Sequence, residues 1–411
     1  MHLPVRLSVL VALLCGVVAA QAQDKSYVVR FKESAVPQVK AGSVKDDRVR
    51  DDAEHWGHVG ERTMAHVQNI EKKHGVRADA AFGTVFKGMA VRLTPAQLAS
   101  LRKDPSVDLI EEEQVFSINP LGKVSGTATT STQVIPWGIG KTLATQSYTL
   151  AGNGSGAVSG VRAYIIDTGI DTKNTDLNRM GHINFSGDGR NVDCNGHGTH
   201  VAGTVAASDN TLAVVGMGPG VAVYGVKVLN CQGSGTTTTV IQGVDWVAAN
   251  AIKPAVANMS LGGGASQLLD DAVRNAASKG VFFSIAAGNS SADACTSSPA
   301  RVGGGATAGV MTVAATDVND LEASFSNYGS CVDIWAPGVN VTSLKLGGGT
   351  TVMSGTSMAS PHVGGAAALY LGRYPTATSS SVVSTLKQMA VTTGTLSKDG
   401  RAITRLQANV Q

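Results

Sequence analysis

No cluster of lysine and arginine stands out in this sequence, and 33 basic residues against 30 acidic ones leave a net charge of only +3. Nucleic acid and anionic membrane surfaces therefore have no electrostatic footprint here. Charge of either sign is scarce, at 15%, while 43% of residues are hydrophobic. That balance excludes a disordered chain or a coiled coil and allows a large buried core. Long apolar runs are missing too, apart from 7–20, which follows His2 and Arg6 and ends at Ala20-Gln21-Ala22. The run is short for a span of about 20 residues, and the small-x-small ending suits signal peptidase. Residues 1–22 read as a signal peptide, giving a secreted, extracellular protein with no membrane attachment after cleavage.

Cysteine is sparse. Cys15 leaves with the signal, and Cys194, Cys231, Cys295 and Cys331 remain. An even number in an exported chain favours two disulfides, in any of three connectivities, and the lack of a close C-x-x-C pair argues against zinc.

The 411 residues are too many for one small domain, and charge is spread unevenly along them. Residues 24–120 hold 15 of the 33 basic and 15 of the 30 acidic residues, which marks a boundary. Within 23–120 the pattern predicts an extended stretch at 26–31, a polar helical region at 51–74 and a strand pair over 82–93. A helix opened by Thr94-Pro95 and a strand over 107–116 complete a small α+β module. Residues 121–133, rich in Gly, Ser and Thr, read as an exposed linker open to processing. From 134 to 411 apolar strands alternate with helices, the signature of a mostly parallel sheet covered on both faces. Strands are expected at 161–167, 221–229, 256–261, 281–288, 311–316 and 332–335, and helices at 197–207, 238–251, 267–279, 357–371 and 380–389. Ligands bind beyond the carboxyl ends of such strands, so the chemistry is sought there.

Three polar residues stand at such ends. Asp167 closes the apolar strand Ala163-Tyr164-Ile165-Ile166, His197 opens a helix within Asn195-Gly196-His197-Gly198-Thr199-His200, and Ser357 begins a long apolar helix, with Pro361 in its first turn. A serine hydroxyl is a weak nucleophile that needs a base, and the base needs an acid to hold its tautomer. Each residue alone could be a strand-end turn or a helix cap. Together, in the order Asp, His, Ser, they follow the chain order of subtilisin rather than that of chymotrypsin or the α/β-hydrolases.

The segments Asp167-Thr168-Gly169, Asn195 to Gly203 and Gly355-Thr356-Ser357-Met358-Ala359 resemble the three signatures of the subtilisin-like serine proteases. From about Pro136 onward the similarity is to the proteinase K branch and its aqualysin-like bacterial members, including Asn258-Met259-Ser260-Leu261-Gly262 and Ser324-Phe325-Ser326-Asn327-Tyr328-Gly329. Residues 24–120 resemble the family's inhibitory propeptide.

The resemblance implies a three-layer subtilisin-like α/β fold behind a ferredoxin-like propeptide domain. It implies an autoprocessed, monomeric endopeptidase of proteins and peptides, inhibited and helped to fold by its own propeptide. Asn289 is implied as the side-chain oxyanion donor, with the Ser357 N–H as the second. Gly233, Ser234, Gly235, Ser260, Leu261 and Gly262 are implied to bind peptide as an added strand. Ala286, Ala287 and Gly288 complete a small, uncharged pocket suited to apolar or aromatic side chains, near Asp293. The pairing implied is Cys194 with Cys231 and Cys295 with Cys331. No cofactor is implied for catalysis, but a stabilising Ca2+ is, held by Asp333 and the carbonyls of Ala308 and Val310.

Other readings fit less well. A secreted esterase would carry G-x-S-x-G and the order Ser, Asp, His. His197 and His200 stand at i,i+3 without the Glu of H-E-x-x-H, and Gly152 to Gly156 lacks the Lys-Ser/Thr of a phosphate loop. A non-catalytic scaffold of the same fold would not need all four candidate catalytic residues.

Overall fold

The computed structural model describes residues 24–118, 132–305 and 307–411, and 121–128 as backbone alone. The expected signal peptide, Pro120 and part of the expected linker lie outside the described residues.

The first unit begins with β1 (Lys25–Phe31). The helical region expected at 51–74 is instead three pieces, α1 (Asp47–Asp51), α2 (Ala53–Trp56) and α3 (Glu61–His74). Asp52 leaves helical geometry at φ −144° and caps α2 at His55 N–H, and Gly60 at φ +82° separates the next break from α3. Then come β2 (Ala78–Phe82), β3 (Gly88–Leu93), α4 (Pro95–Leu101) with a Thr94 capping box, and β4 (Val107–Glu112). The strand order β2-β3-β1-β4 is that of a ferredoxin-like split βαβ unit. One face of this sheet buries Tyr27, Val29, Met89 and Val91 against α3.

Two strands leave that sheet. β5 (Val115–Ser117) enters another sheet, and β6 (Leu121–Ala128) pairs antiparallel with a hairpin far along the chain. The expected linker is thus partly a strand: its backbone groups bond to a neighbour rather than to water.

The second unit contains α5 (Trp137–Lys141), β7 (Arg162–Asp167), β8 (Arg179–Asn184), α6 (His197–Ala206), β9 (Ala222–Lys227), β10 (Ser234–Thr236), α7 (Thr237–Asn250), β11 (Ala255–Met259), β12 (Gly262–Gly264), α8 (Gln267–Ser278) and β13 (Val281–Ala286). After these run β14 (Ser297–Ser298), β15 (Val310–Thr316), β16 (Ile334–Pro337), the hairpin β17 (Val341–Leu344) and β18 (Thr350–Ser354), α9 (Thr356–Arg373), α10 (Ser379–Met389), β19 (Val391–Leu396) and β20 (Ala402–Arg405). The nine-stranded sheet runs β19-β20-β16-β15-β13-β11-β7-β9-β8, parallel except at the β19/β20 edge. Its strands are apolar on both faces because both are covered. In β7, Ala163 and Ile165 pack toward α6 and α9, and Tyr164 and Ile166 toward α7 and α8. The outer face of the first unit, with Val28, Phe82 and Ala90, joins that second cluster. Among the described residues no helix is long and apolar enough to cross a membrane.

Candidate active site

Asp167 and His197 meet where β7 ends and α6 begins. Both are buried, and the Nδ1 of His197 lies 2.8 Å from Asp167 Oδ1, which also accepts the Thr168 N–H at 2.7 Å. Asp193, which sequence reasoning missed, fixes this junction: its Oδ1 accepts from Thr168 Oγ1 and from the Asn195 and Gly196 N–H groups, and its Oδ2 from the Thr199 N–H. One carboxylate thus caps α6 and ties the end of β7 to it. His197 Nε2 is buried and has no hydrogen-bond partner among the described residues. His200 Nε2 donates to Val341 O on the far side, and burial lowers its pKa to about 3, so it is neutral.

Ser357 stands at the amino end of α9. Its Oγ donates to Ser260 O at 3.2 Å, and Ser260 Oγ donates back to Ser357 O at 2.8 Å. Pro361 is not in the first turn, as expected, but inside α9. Lacking an N–H, it leaves the carbonyl four residues before it, Ser357 O, free for Ser260. Asn258 Nδ2 supports Ser260 Oγ at 2.9 Å, and Ser360 Oγ supports Asn258 Oδ1 at 2.9 Å. Asn289 follows β13 and Gly288, and its Oδ1 accepts both the N–H and the Oγ1 of Thr356 at 2.8 Å, which fixes the orientation of its amide beside Gly355.

The chain itself lies across this site. β5 inserts between β10 and β12 as an antiparallel strand, with Ser117 opposite both Ser234 and Gly262, Phe116 opposite Gly235 and Gly263, and Ile118 N–H donating to Gly233 O at 3.0 Å. Phe116 is fully buried. A cleft of about 200 Å³ beside Ser117 is lined by Leu261, Gly262, Ala286, Gly288, Asn289, Asn327 and Ser357 among others, none of them charged. Of the expected pocket residues, Ala287 is fully buried behind the wall, where its carbonyl accepts from Asn327 Nδ2. Asp293 does not line the cleft; it caps the turn at Cys295 N–H. Asn327 and Thr356 were not singled out as site residues, although both lie inside segments that carry the family resemblance.

The two disulfides join Cys194 to Cys231 and Cys295 to Cys331. The residues expected to hold calcium do not fit it. Asp333 Oδ2 already accepts the Gly304 and Thr312 N–H groups at 2.9 Å each, and Oδ1 accepts Lys387 Nζ at 2.6 Å. With its side chain fully buried and three donors on it, the carboxylate has no bidentate face left for a cation beside Ala308 and Val310.

The profile of the Subtilase family matches residues 159–407, and that of Peptidase inhibitor I9 matches residues 26–119. The alkaline serine exoprotease A of Vibrio alginolyticus is 44% identical over 314 residues, covering 75% of this chain and 56% of the Vibrio protein, so the chain spans little more than half of that relative. The extracellular serine proteinase of Thermus sp. (strain Rt41A) is 44% identical over 322 residues, 76% of this chain and 73% of the relative. A solved cold-adapted subtilisin-like serine proteinase superposes with a TM-score of 0.60 at 42% identity, covering 68% of this chain and all of its own.

Proposed function

Because this chain belongs to the subtilase family, in its proteinase K branch and with an I9 propeptide domain, we propose that it is an exported, monomeric serine endopeptidase made as a self-processing precursor. Asp167 holds the His197 tautomer that leaves Nε2 basic. Ser357 Oγ turns from Ser260 O toward that nitrogen, gives up its proton and attacks the peptide carbonyl carbon. The oxyanion takes hydrogen bonds from Asn289 Nδ2 and the Ser357 N–H, favoured by the amino end of α9. His197 then protonates the departing amine as the C–N bond breaks. A water attacks the acyl-enzyme by the same route in reverse. Every acid, base and dipole in this scheme belongs to the chain.

The observation that carries the reading is β5, a peptide strand seated between β10 and β12 with Ser117 lining the same cleft as Ser357. The same seating supports inhibition by the propeptide and a peptide substrate bound as a strand. Small, uncharged lining at Ala286, Gly288 and Gly262 supports a preference for apolar or aromatic residues before the cut. Folding assistance is supported by Glu111 and Glu113 of the propeptide, which accept N–H groups at the starts of α8 and α7. The test is labelling of the secreted enzyme with a sulfonyl fluoride. One adduct on Ser357, with matching loss of peptide hydrolysis, is expected; full activity after stoichiometric labelling elsewhere would end the proposal.

A further inference from the structure

Asp333 is surrounded as if a cation were already present. It sits immediately before β16, its side chain fully buried, and the described residues that bond it from the sheet and loop, Gly304 and Thr312, supply N–H donors. A buried carboxylate needs a counter-charge, because leaving it unpaired in a low-dielectric site is costly. Lys387, near the end of α10 and 54 residues further along the chain, reaches over to place its ammonium on Oδ1, with a side chain 37% exposed. The Nζ also lies close above Gly305, 3.7 Å from where a Cβ there would stand. It thus occupies the same loop that would have to supply carbonyl ligands to a metal.

We infer that Lys387 is a built-in replacement for the divalent cation at Asp333, so that this locus is held together by the chain itself and not by free calcium. Oδ2 has both lone-pair directions taken by backbone N–H groups, and Oδ1 carries the ammonium. A divalent ion entering here must displace Lys387 or sit within about 4 Å of its like charge. A bound metal stabilises by an amount that grows with the logarithm of its free concentration above Kd, whereas a tethered ammonium contributes the same in calcium and in chelator. The inference is independent of the catalytic reading, since it concerns melting and not turnover.

The test uses the full-length precursor carrying Ser357→Ala, so that self-digestion does not obscure melting. Melting temperature is measured with excess calcium and with chelator for that parent and for added Asp333→Asn, Lys387→Met and Lys387→Met with Asp333→Asn. Lys387→Met strands the buried carboxylate, so its melting in chelator is expected to fall by about 5–10 °C. Calcium is expected to restore much of that loss, and the restoration is expected to vanish in the double variant. The gap between parent and Asp333→Asn should be the same in calcium and chelator; any calcium response that both share arises elsewhere. Terbium luminescence that the parent shows and Asp333→Asn lacks, or a gap that widens in calcium, would mean a metal already sits on Asp333. A Lys387→Met melt equal to the parent in chelator, or a loss that calcium does not relieve, would equally overturn the replacement. Should Lys387→Met not fold, Lys387→Arg, which keeps the charge, must melt near the parent in both conditions.

Discussion

The propeptide unit keeps several of its ion pairs at the surface beside part-buried ones such as Arg48–Asp46, whereas the protease unit buries a lysine completely. In the propeptide, ion pairs such as Lys25–Glu112 and Arg50–Asp47 lie more than half exposed, where they contribute little. In the protease unit Lys227 is fully buried, held by Thr168 O, Leu229 O and Asp188. The propeptide sheet is antiparallel and its unit contains no cysteine, whereas the protease sheet is parallel except at the β19/β20 edge and its unit carries two disulfides. At their interface the two units exchange carboxylates: Glu111 and Glu113 cap α8 and α7, while Asp245 of α7 accepts the Gly83, Thr84 and Val85 N–H groups of the propeptide. Yet α7 and α8 keep their own caps in Thr236 and Ser266. The second unit thus keeps helix caps of its own beside those the first supplies.

The contrast breaks most completely if the two units never separate. Ser357→Ala should leave the secreted chain at full precursor mass after the signal and reduce turnover about 10⁶-fold, a magnitude known from subtilisin; intact mass and peptide hydrolysis check both. Next in size, replacing Cys194 and Cys231 together by alanine should cost the protease unit about 4 kcal/mol, given a separation of 37 residues. Reducing agent should leave melting of a 24–118 fragment unchanged.

The exchange of carboxylates is probed by Asp245→Ala, which strands three propeptide N–H groups and should weaken inhibition by the added propeptide about 30–100-fold. Lys25→Ala, on an exposed pair, should change it less than twofold. Inhibition constants for both decide whether buried and exposed charges differ as described.

Acid sharpens the comparison further. Burial lowers His200 to about 3 and His362 to about 4, below the value of an unfolded histidine. The unfolded state therefore takes up protons first, and the stability these two contribute is full above about pH 6.5 and is lost as pH falls toward 4. The loss should be about 2 kcal/mol between pH 6 and 5 for the protease unit. In the propeptide, the Arg48 hydrogen bond holds Asp46 at about 2, so its contribution survives until pH falls below about 4. Melts of the two units across pH 4–7 should diverge, with the protease unit falling faster.

The order Asp167, His197, Ser357 was legible because each lies in a short segment beside a strand end or helix start, where local pattern and chemistry coincide. The strand and helix list of the protease core was legible for the same reason, to within a few residues. β8 and the β19/β20 edge were missed: Arg179–Asn184 and Val391–Leu396 are half-exposed edge strands with no continuous apolar run. Contacts that join distant segments left no local trace. Lys387 on Asp333, Asp193 between β7 and α6, and Asp245 under the propeptide turn are tertiary choices. The break at Gly60 is the exception, since a glycine inside a helical pattern is itself a visible breaking signal.

The bridge between Cys194 and Cys231 stands three residues before His197 and two before Gly233, with the α-carbons 4.9 Å apart. It joins the segment bearing His197 to the β10 edge against which β5 is seated. As the surrounding loops move with heat, a shift of one end is carried to the other, so the errors in their positions are correlated and largely cancel. Alignment of His197 to the β10 edge then depends on their relative displacement, which the bridge limits, more than on how far either loop wanders.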